Sequence, residues 1–155
     1  MDIVRQMYKD KMIQKVVCFI FEAHKGQKDK AGVPYVFHPM HVASSVGEDR
    51  DYILTALLHD VLEDTDRTLE DIRNLGISKQ VQEALVLLTH DPQIPYIEYI
   101  HSLKDNPICA AVKKADLRHN MDLGRLETIK EKDRKRKEKY REAYGVLTEE
   151  DVTKL

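Results

Sequence analysis

In the run ALLHDVLEDT, residues 56 to 65, His59 and Asp60 stand side by side at the end of an apolar stretch, with Glu63 and Asp64 one turn later. Imidazole and carboxylate are donors for a divalent cation, and a second pair of carboxylates beside them can move protons. At about 3.6 residues per turn, positions four apart nearly superpose. A helix carried through this segment stacks His59 with Glu63 and Asp60 with Asp64, and turns Leu54, Leu57, Leu58, Val61 and Leu62 to the opposite side. Alone, the dipeptide means no more than an amphipathic surface helix. Its weight comes from His38, in VPYVFHPMHVA, and Asp116, in AVKKADLRHNMDL. A cation needs several donors converging from distant parts of the chain, and two imidazoles with two carboxylates make such a set, open to Mn²⁺, Fe²⁺, Zn²⁺ or Mg²⁺.

The elements that must position these donors read as helices. Ile13, Val17, Ile20 and His24 recur at spacings of three and four, which predicts a long helix over 2 to 24 with His24 ending its apolar stripe and facing inward. Gly26, Gly32 and Pro34 break any period in GQKDKAGVPY, so a loop follows. Pro39 suits the first turn of a helix running to about Val46, with His38 at its N-terminal edge. Residues 51 to 62 form the next helix, and Thr68 before LEDIRNLG marks a capped short helix closed by Gly76. Further helices are expected over 78 to 89, 95 to 104, 107 to 122 and 126 to 145. VPYVF is too short and Pro-broken to found a sheet. The expected architecture is all-α, a compact multi-helix bundle. Within the 107 to 122 helix, Lys113, Asp116 and Asn120 share one face.

The chain of 155 residues suits one domain, 1 to 155, able to bury a substantial core without staples. A net charge of −2 offers no bulk attraction for nucleic acid. Cys18 and Cys109 lie among apolar residues and read as buried thiols rather than a disulfide, which fits a reducing compartment. MDIVRQMYKDKM lacks the apolar core of a secretory signal, and no stretch is long enough to span a membrane, so a soluble, cytoplasmic protein is expected. The charged stretch KEKDRKRKEKYRE, 130 to 142, mixes signs at helical spacings and reads as an exposed helix with weak ion pairs, with Tyr140 and Tyr144 docking its inner side. His41, His90, His101 and His119 are read as structural, and Tyr96 and Tyr99 as core aromatics with polar tips.

Four blocks, AHKGQ at 23 to 27, GVPYVFHP at 32 to 39, ALLHDVLEDT at 56 to 65 and KADLRHNMDL at 114 to 123, occur in the order found in one family. Over roughly residues 16 to 126 the chain resembles the His-Asp (HD) superfamily of metal-dependent phosphohydrolases, in the RelA/SpoT-type alarmone hydrolase branch with its small stand-alone members. The resemblance implies an HD-domain bundle that hydrolyses guanosine tetraphosphate (ppGpp). It makes His38, His59, Asp60 and Asp116 the ligands of one divalent metal, Mn²⁺ by preference, and Glu63 and Asp64 the carboxylates that assist the attacking water. It also implies that Lys30 lies near the substrate phosphates and that Asn120 helps to hold the nucleotide. Lys28 and Lys113 extend the expected positive surface, and His24 is counted with the substrate-binding residues. These hydrolases usually carry an arginine just before the lysine, where it contacts the guanine base. Asp29 occupies that position and cannot offer a flat cationic surface.

Two other readings stay open on the residues: the same chemistry on another nucleotide, which Asp29 keeps alive, and a non-catalytic nucleotide-binding or regulatory module. Bifunctional alarmone enzymes carry a synthetase domain after the hydrolase. No such segment follows here, so hydrolysis without synthesis is expected. Oligomeric state is not readable from the sequence.

Overall fold

Asp10 divides what the apolar period predicts as one helix. The computed structural model describes the backbone of residues 2–153 and the side chains of 2–148, and in it α1 covers Ile3–Lys9 and α2 covers Lys11–Ala23. Asp10 is extended (φ −107°, ψ 110°), and its carboxylate accepts from the N–H groups of Met12 and Ile13. The same carboxylate receives Arg50 Nε at 2.6 Å. A side-chain cap contributes about 0.5–2 kcal/mol, enough to favour a new start over a continuous helix. The inner stripe of α2 is Ile13, Val16 and Ile20. The expected Val17 lies at its margin, and His24 ends it, buried as anticipated.

The remaining helices are α3 (Phe37–Ser44), α4 (Arg50–Leu58), α5 (Val61–Asp64), α6 (Leu69–Arg73), α7 (Lys79–Leu88), α8 (Tyr96–Ser102), α9 (Pro107–Met121) and α10 (Glu131–Thr153), with a 3₁₀ turn at Leu123–Arg125. Their starts obey local chemistry. Asp49 caps α4 and Ser78 caps α7. Thr68 and Asp71 close a reciprocal capping box on α6, and Asn106 caps α9 with Pro107 in its first turn. Gly76 leaves α6 at φ +84°, a left-handed conformation open to glycine. The helix expected over 126 to 145 begins five residues later, because residues 123–125 form the 3₁₀ turn and 126–130 a connection. Among the described residues the β structure is one isolated bridge, Lys28 with Pro34.

α4 is the axis of the fold. It packs on α2, α3, α7 and α9, and Ile53 through Leu58 are all buried. The expected one-sided amphipathic helix is therefore apolar on every side, as a helix wrapped by neighbours must be. Each fully buried Leu or Ile here contributes roughly 1.5–3 kcal/mol. The consequence for function is positional, since the residue that ends α4, His59, emerges inside the protein. α10 packs along α9 and α8 and covers the same end.

The two cysteines part company. Cys18 is exposed, against expectation, because it lies on the outer side of α2. Cys109 is buried on α9 with its thiol on Ala84 O at 3.4 Å, and burial pushes its pKa up to about 12. Titration with a thiol reagent at pH 8 is expected to label Cys18 alone in the native protein and both cysteines after denaturation. Rapid modification of Cys109 in the native state would contradict this packing.

Candidate metal centre and substrate cleft

Donors from the ends of two helices and the middle of a third meet behind α4. His59 is the C-cap of α4, and its Nδ1 donates to Ala56 O at 2.6 Å. A carbonyl only accepts, so Nδ1 carries its proton toward the backbone and Nε2 faces the carboxylates. Nε2 lies 3.0 Å from Asp60 Oδ2 and 3.6 Å from Asp116 Oδ1, yet it is buried with no hydrogen-bond partner. Burial pushes the pKa of His59 down, and Asp60 and Asp116 more than reverse this, leaving it well above its ordinary value. The pocket thus draws positive charge to this one nitrogen.

His38, in the first turn of α3, approaches from the other side. Its Nε2 is 2.9 Å from Asp116 Oδ1 and 3.6 Å from Asp60 Oδ2. Its Nδ1 meets Nδ1 of His119 at 2.7 Å. Burial, then Arg125 and His38, push the pKa of His119 down to about 4, so His119 is neutral and can accept the Nδ1 proton of His38. In that tautomer His38 Nε2 carries a lone pair, turned toward the carboxylates and open to a cation. His119, whose ring also stacks on His41 at 4.0 Å, is a positioning residue that its chain position did not disclose.

Asp116 is the hub. Lys113, one turn before it on α9, donates to Oδ2 at 2.9 Å, and Asn120, one turn after, donates to Oδ1 at 2.8 Å. Burial raises the pKa of Asp116, but Lys113 and the two histidines outweigh it and hold the group ionised, well below the usual carboxylate range. Lys113 also lies over the Tyr99 ring at 5.5 Å. The shared face predicted for Lys113, Asp116 and Asn120 is present, with the lysine and the amide turned first to the carboxylate between them.

Asp60 is likewise ionised, since His59 beside it overcomes the cost of burial. Its Oδ2 accepts from the Tyr35 hydroxyl at 2.6 Å. Tyr35 is delivered by the 24–36 loop, where Tyr35 N bonds Gln27 O and Asp29 N bonds Val33 O, each at 2.8 Å. His24 underlies this loop, with Nδ1 on Gln27 Oε1 at 3.0 Å. It borders neither part of the cleft described below.

Donor atoms of His38, His59 and Asp60 all lie within 4.8 Å of one another, and Asp116 Oδ1 stands against both imidazoles. These residues fit a divalent cation on three grounds: the orphaned Nε2 of His59, an N₂O₂ donor set, and an outer partner orienting every donor (Ala56 O, His119, Tyr35, Lys113 and Asn120). Asp60 and Asp116 border a cavity of about 250 Å³ together with Glu63. The Glu63 carboxylate is held by the backbone N–H of His90. Asp64 turns instead toward Tyr35, its Oδ2 3.5 Å from the hydroxyl. Burial, then Asp60 and Glu63, raise its pKa.

Tyr35, Asn120 and Tyr140 are shared with a second cavity of about 350 Å³, where Lys28, Lys30, Arg125 and Arg136 gather. The helix read as a solvated charged stripe thus contributes Arg136, Lys139 and Tyr140 to the cleft. The spacing of Asp133, Arg136, Tyr140, Ala143 and Leu147 at three and four is the signal that betrays this inner face, hidden by the many charges around it.

No family model matches the chain. A guanosine-3′,5′-bis(diphosphate) 3′-pyrophosphohydrolase of Aquifex aeolicus is 48% identical over 64 residues, which are 39% of this chain and 9% of that protein. The guanosine-3′,5′-bis(diphosphate) 3′-pyrophosphohydrolase MESH1 of Danio rerio is 35% identical over 127 residues, covering 74% of this chain and 70% of MESH1. A solved structure described as a metazoan ortholog of SpoT that hydrolyzes ppGpp superposes with a TM-score of 0.72 at 23% identity, over 90% of this chain and 85% of the other. The all-helical bundle is the fold of that structure. With the MESH1 relationship, the chain belongs to the HD-type alarmone hydrolase family.

The Lys113–Asp116 pair makes a testable demand on the fold. Lys113→Met strands a buried carboxylate and is expected to cost about 3–5 kcal/mol in chelator-treated protein, measured by urea denaturation. Asp116→Asn in the same chain should recover much of the loss, and added Mn²⁺ should reduce it in the Lys113→Met single variant, because the cation supplies the missing charge.

Proposed function

We propose that this protein is a metal-dependent phosphohydrolase that releases pyrophosphate from the 3′ position of guanosine 3′,5′-bis(diphosphate), acting as one hydrolase domain over residues 1 to 155. The observation that carries the reading is the buried, unpartnered Nε2 of His59 at the meeting point of His38, Asp60 and Asp116. The names of relatives that match the chain support the substrate. His38, His59, Asp60 and Asp116 would hold one divalent ion, with Mn²⁺ preferred by resemblance. When bound, such an ion neutralises phosphoryl charge and acidifies the attacking water.

The side chains account for the rest. Lys28 and Lys30 attract the anionic substrate to the larger cavity, where partial burial and then Arg136 depress the pKa of Lys30, as expected of crowded cations. Asn120, at the junction of the two cavities, contacts the sugar. Glu63, oriented by the His90 N–H and bordering the cavity, receives the water proton, and Asp64 assists from behind Tyr35. As the water oxygen joins phosphorus, the bond to the 3′ oxygen breaks, and that oxygen leaves as the hydroxyl with the proton that Glu63 passes on. Tyr35 and Lys113 keep Asp60 and Asp116 aimed throughout. No helix among the described residues is long and apolar enough to cross a membrane, and we place the protein in the cytoplasm, without a nucleic-acid partner.

Mn²⁺-loaded protein is expected to release pyrophosphate from guanosine tetraphosphate, to stop on chelation and to recover on re-addition of metal. Full metal occupancy without turnover on this substrate, but with turnover on another nucleotide, would move the assignment to that nucleotide. Failure on every nucleotide, with binding retained, would leave a binding module. Within the site, Glu63→Gln should lower kcat by about 10²–10⁴ with metal content by atomic absorption unchanged, whereas Asp60→Ala should abolish both turnover and metal binding.

A further inference from the structure

Position 29 lacks a base-contacting cation in sequence, yet the space beside it contains one. Asp29 Oδ1 accepts from the N–H groups of Ala31 and Val33, at 2.8 and 3.0 Å, which fixes the carboxylate on its own loop. Its Oδ2 then receives Arg125 Nη1 at 3.3 Å from the 3₁₀ turn after α9. Arg125 Nη2 donates to His119 O at 3.2 Å, and Nε is buried with no partner in the protein. The guanidinium is therefore clamped along its edge by two acceptors. It borders the cavity of Lys30 and Asn120, and it also borders a second, mostly apolar cavity beyond Asp29, so its flat group is not packed away into the core.

The geometry points to Arg125, positioned by Asp29, as the residue that stacks on the base of the nucleotide. This rests on the reading of the protein as a nucleotide pyrophosphohydrolase. Two of its five N–H donors are engaged by protein acceptors, which weakens Arg125 as a fork for phosphate, while the side chain remains 30% exposed at the cavity, where its planar group can take a stacked base. The same cavity provides Leu123 and Leu126 as apolar lining, while the lysines and Arg136 remain for phosphate. The acidic residue at position 29 is then a means of placing an arginine that comes from elsewhere in the chain.

Calorimetric titration separates the parts of the ligand. Wild-type protein and Arg125→Ala are each titrated with guanosine 5′-diphosphate and with inorganic pyrophosphate. Loss of a stacking partner should weaken the nucleotide about tenfold and leave pyrophosphate within about twofold. Arg125→Lys should resemble the alanine variant, since an ammonium has no planar face, and Asp29→Asn should fall between the extremes. Equal weakening of both ligands, or rescue by lysine, would make Arg125 a phosphate cation and overturn the assignment. Unchanged nucleotide affinity would overturn it too, and a drop in thermal stability without any change in binding would mark the Asp29 bridge as purely structural. A wild-type protein that fails to hydrolyse guanosine tetraphosphate would count against the proposed reaction, while these binding ratios would still decide the role of Arg125.

Discussion

Two carboxylates, Asp116 buried and Asp60 mostly so, within 3.6 Å of two buried imidazole nitrogens are the constraint on which the rest of this structure depends. Burying like charges is costly unless opposite charge arrives with them. Within the protein that charge is Lys113, tied to Asp116 and lying over Tyr99. Asp60 accepts from the Tyr35 hydroxyl and has no paired lysine or arginine among the described residues. The balance is left negative, and the Nε2 atoms of His38 and His59 stand between the two carboxylates, that of His59 without a hydrogen-bond partner. A proton or a metal ion can fill that need, and the two compete for the same lone pair, which is how ligand deprotonation becomes coupled to metal binding.

Holding such a centre requires a frame that does not relax around it. α4 supplies the frame because it is enclosed on all sides, and its last turn offers the Ala56 carbonyl that orients His59. α9 supplies the counterweight, its one-turn spacings bringing Lys113 and Asn120 onto the two oxygens of Asp116. α3 is held in register by the His38–His119 contact, which crosses from α3 to α9. Removing any one of these outer partners leaves the donors present but free to turn, and a donor rotated by an ångström binds metal poorly.

The convergence of His38, His59, Asp60 and Asp116, the shared face of Lys113, Asp116 and Asn120, and the helical class were legible because each depends on spacing along one helix or on ordered motif blocks, whereas the turning of Lys113 and Asn120 onto Asp116 was not. Tyr35, His119 and Arg125 were not, for a common reason: each acts on a residue far from it in sequence, through a loop or a helix crossing that no period encodes. α10 was misread for another reason. Tyr140 is expected on its inner side, but the charges hide that Asp133 and Arg136 continue the same stripe, and packing on α9 and α8 shows Arg136 turned to the cleft. The break at Asp10 was legible in principle, since aspartate is a strong cap, but the apolar repeat on both sides masked it. Arg50, forty residues away, helps to decide the outcome.

Asp29 shows why a departure from a family pattern has to be judged in space. Read along the chain, the change from arginine to aspartate removes a cation and reverses the local charge. In the folded protein the carboxylate sits 3.3 Å from Arg125, and the local charge of the pair is zero rather than negative. Zero is also what a bridge between two loops needs, because an unpaired charge of either sign at a partly buried position would be destabilising. The substitution therefore changes which segment carries the guanidinium without emptying the cleft of one, and it ties the loop bearing Lys28 and Lys30 to the end of the helix bearing Asp116 and Asn120. The loop is thus tied to the acidic centre at two points, by the Asp29–Arg125 ion pair and by the Tyr35–Asp60 hydrogen bond.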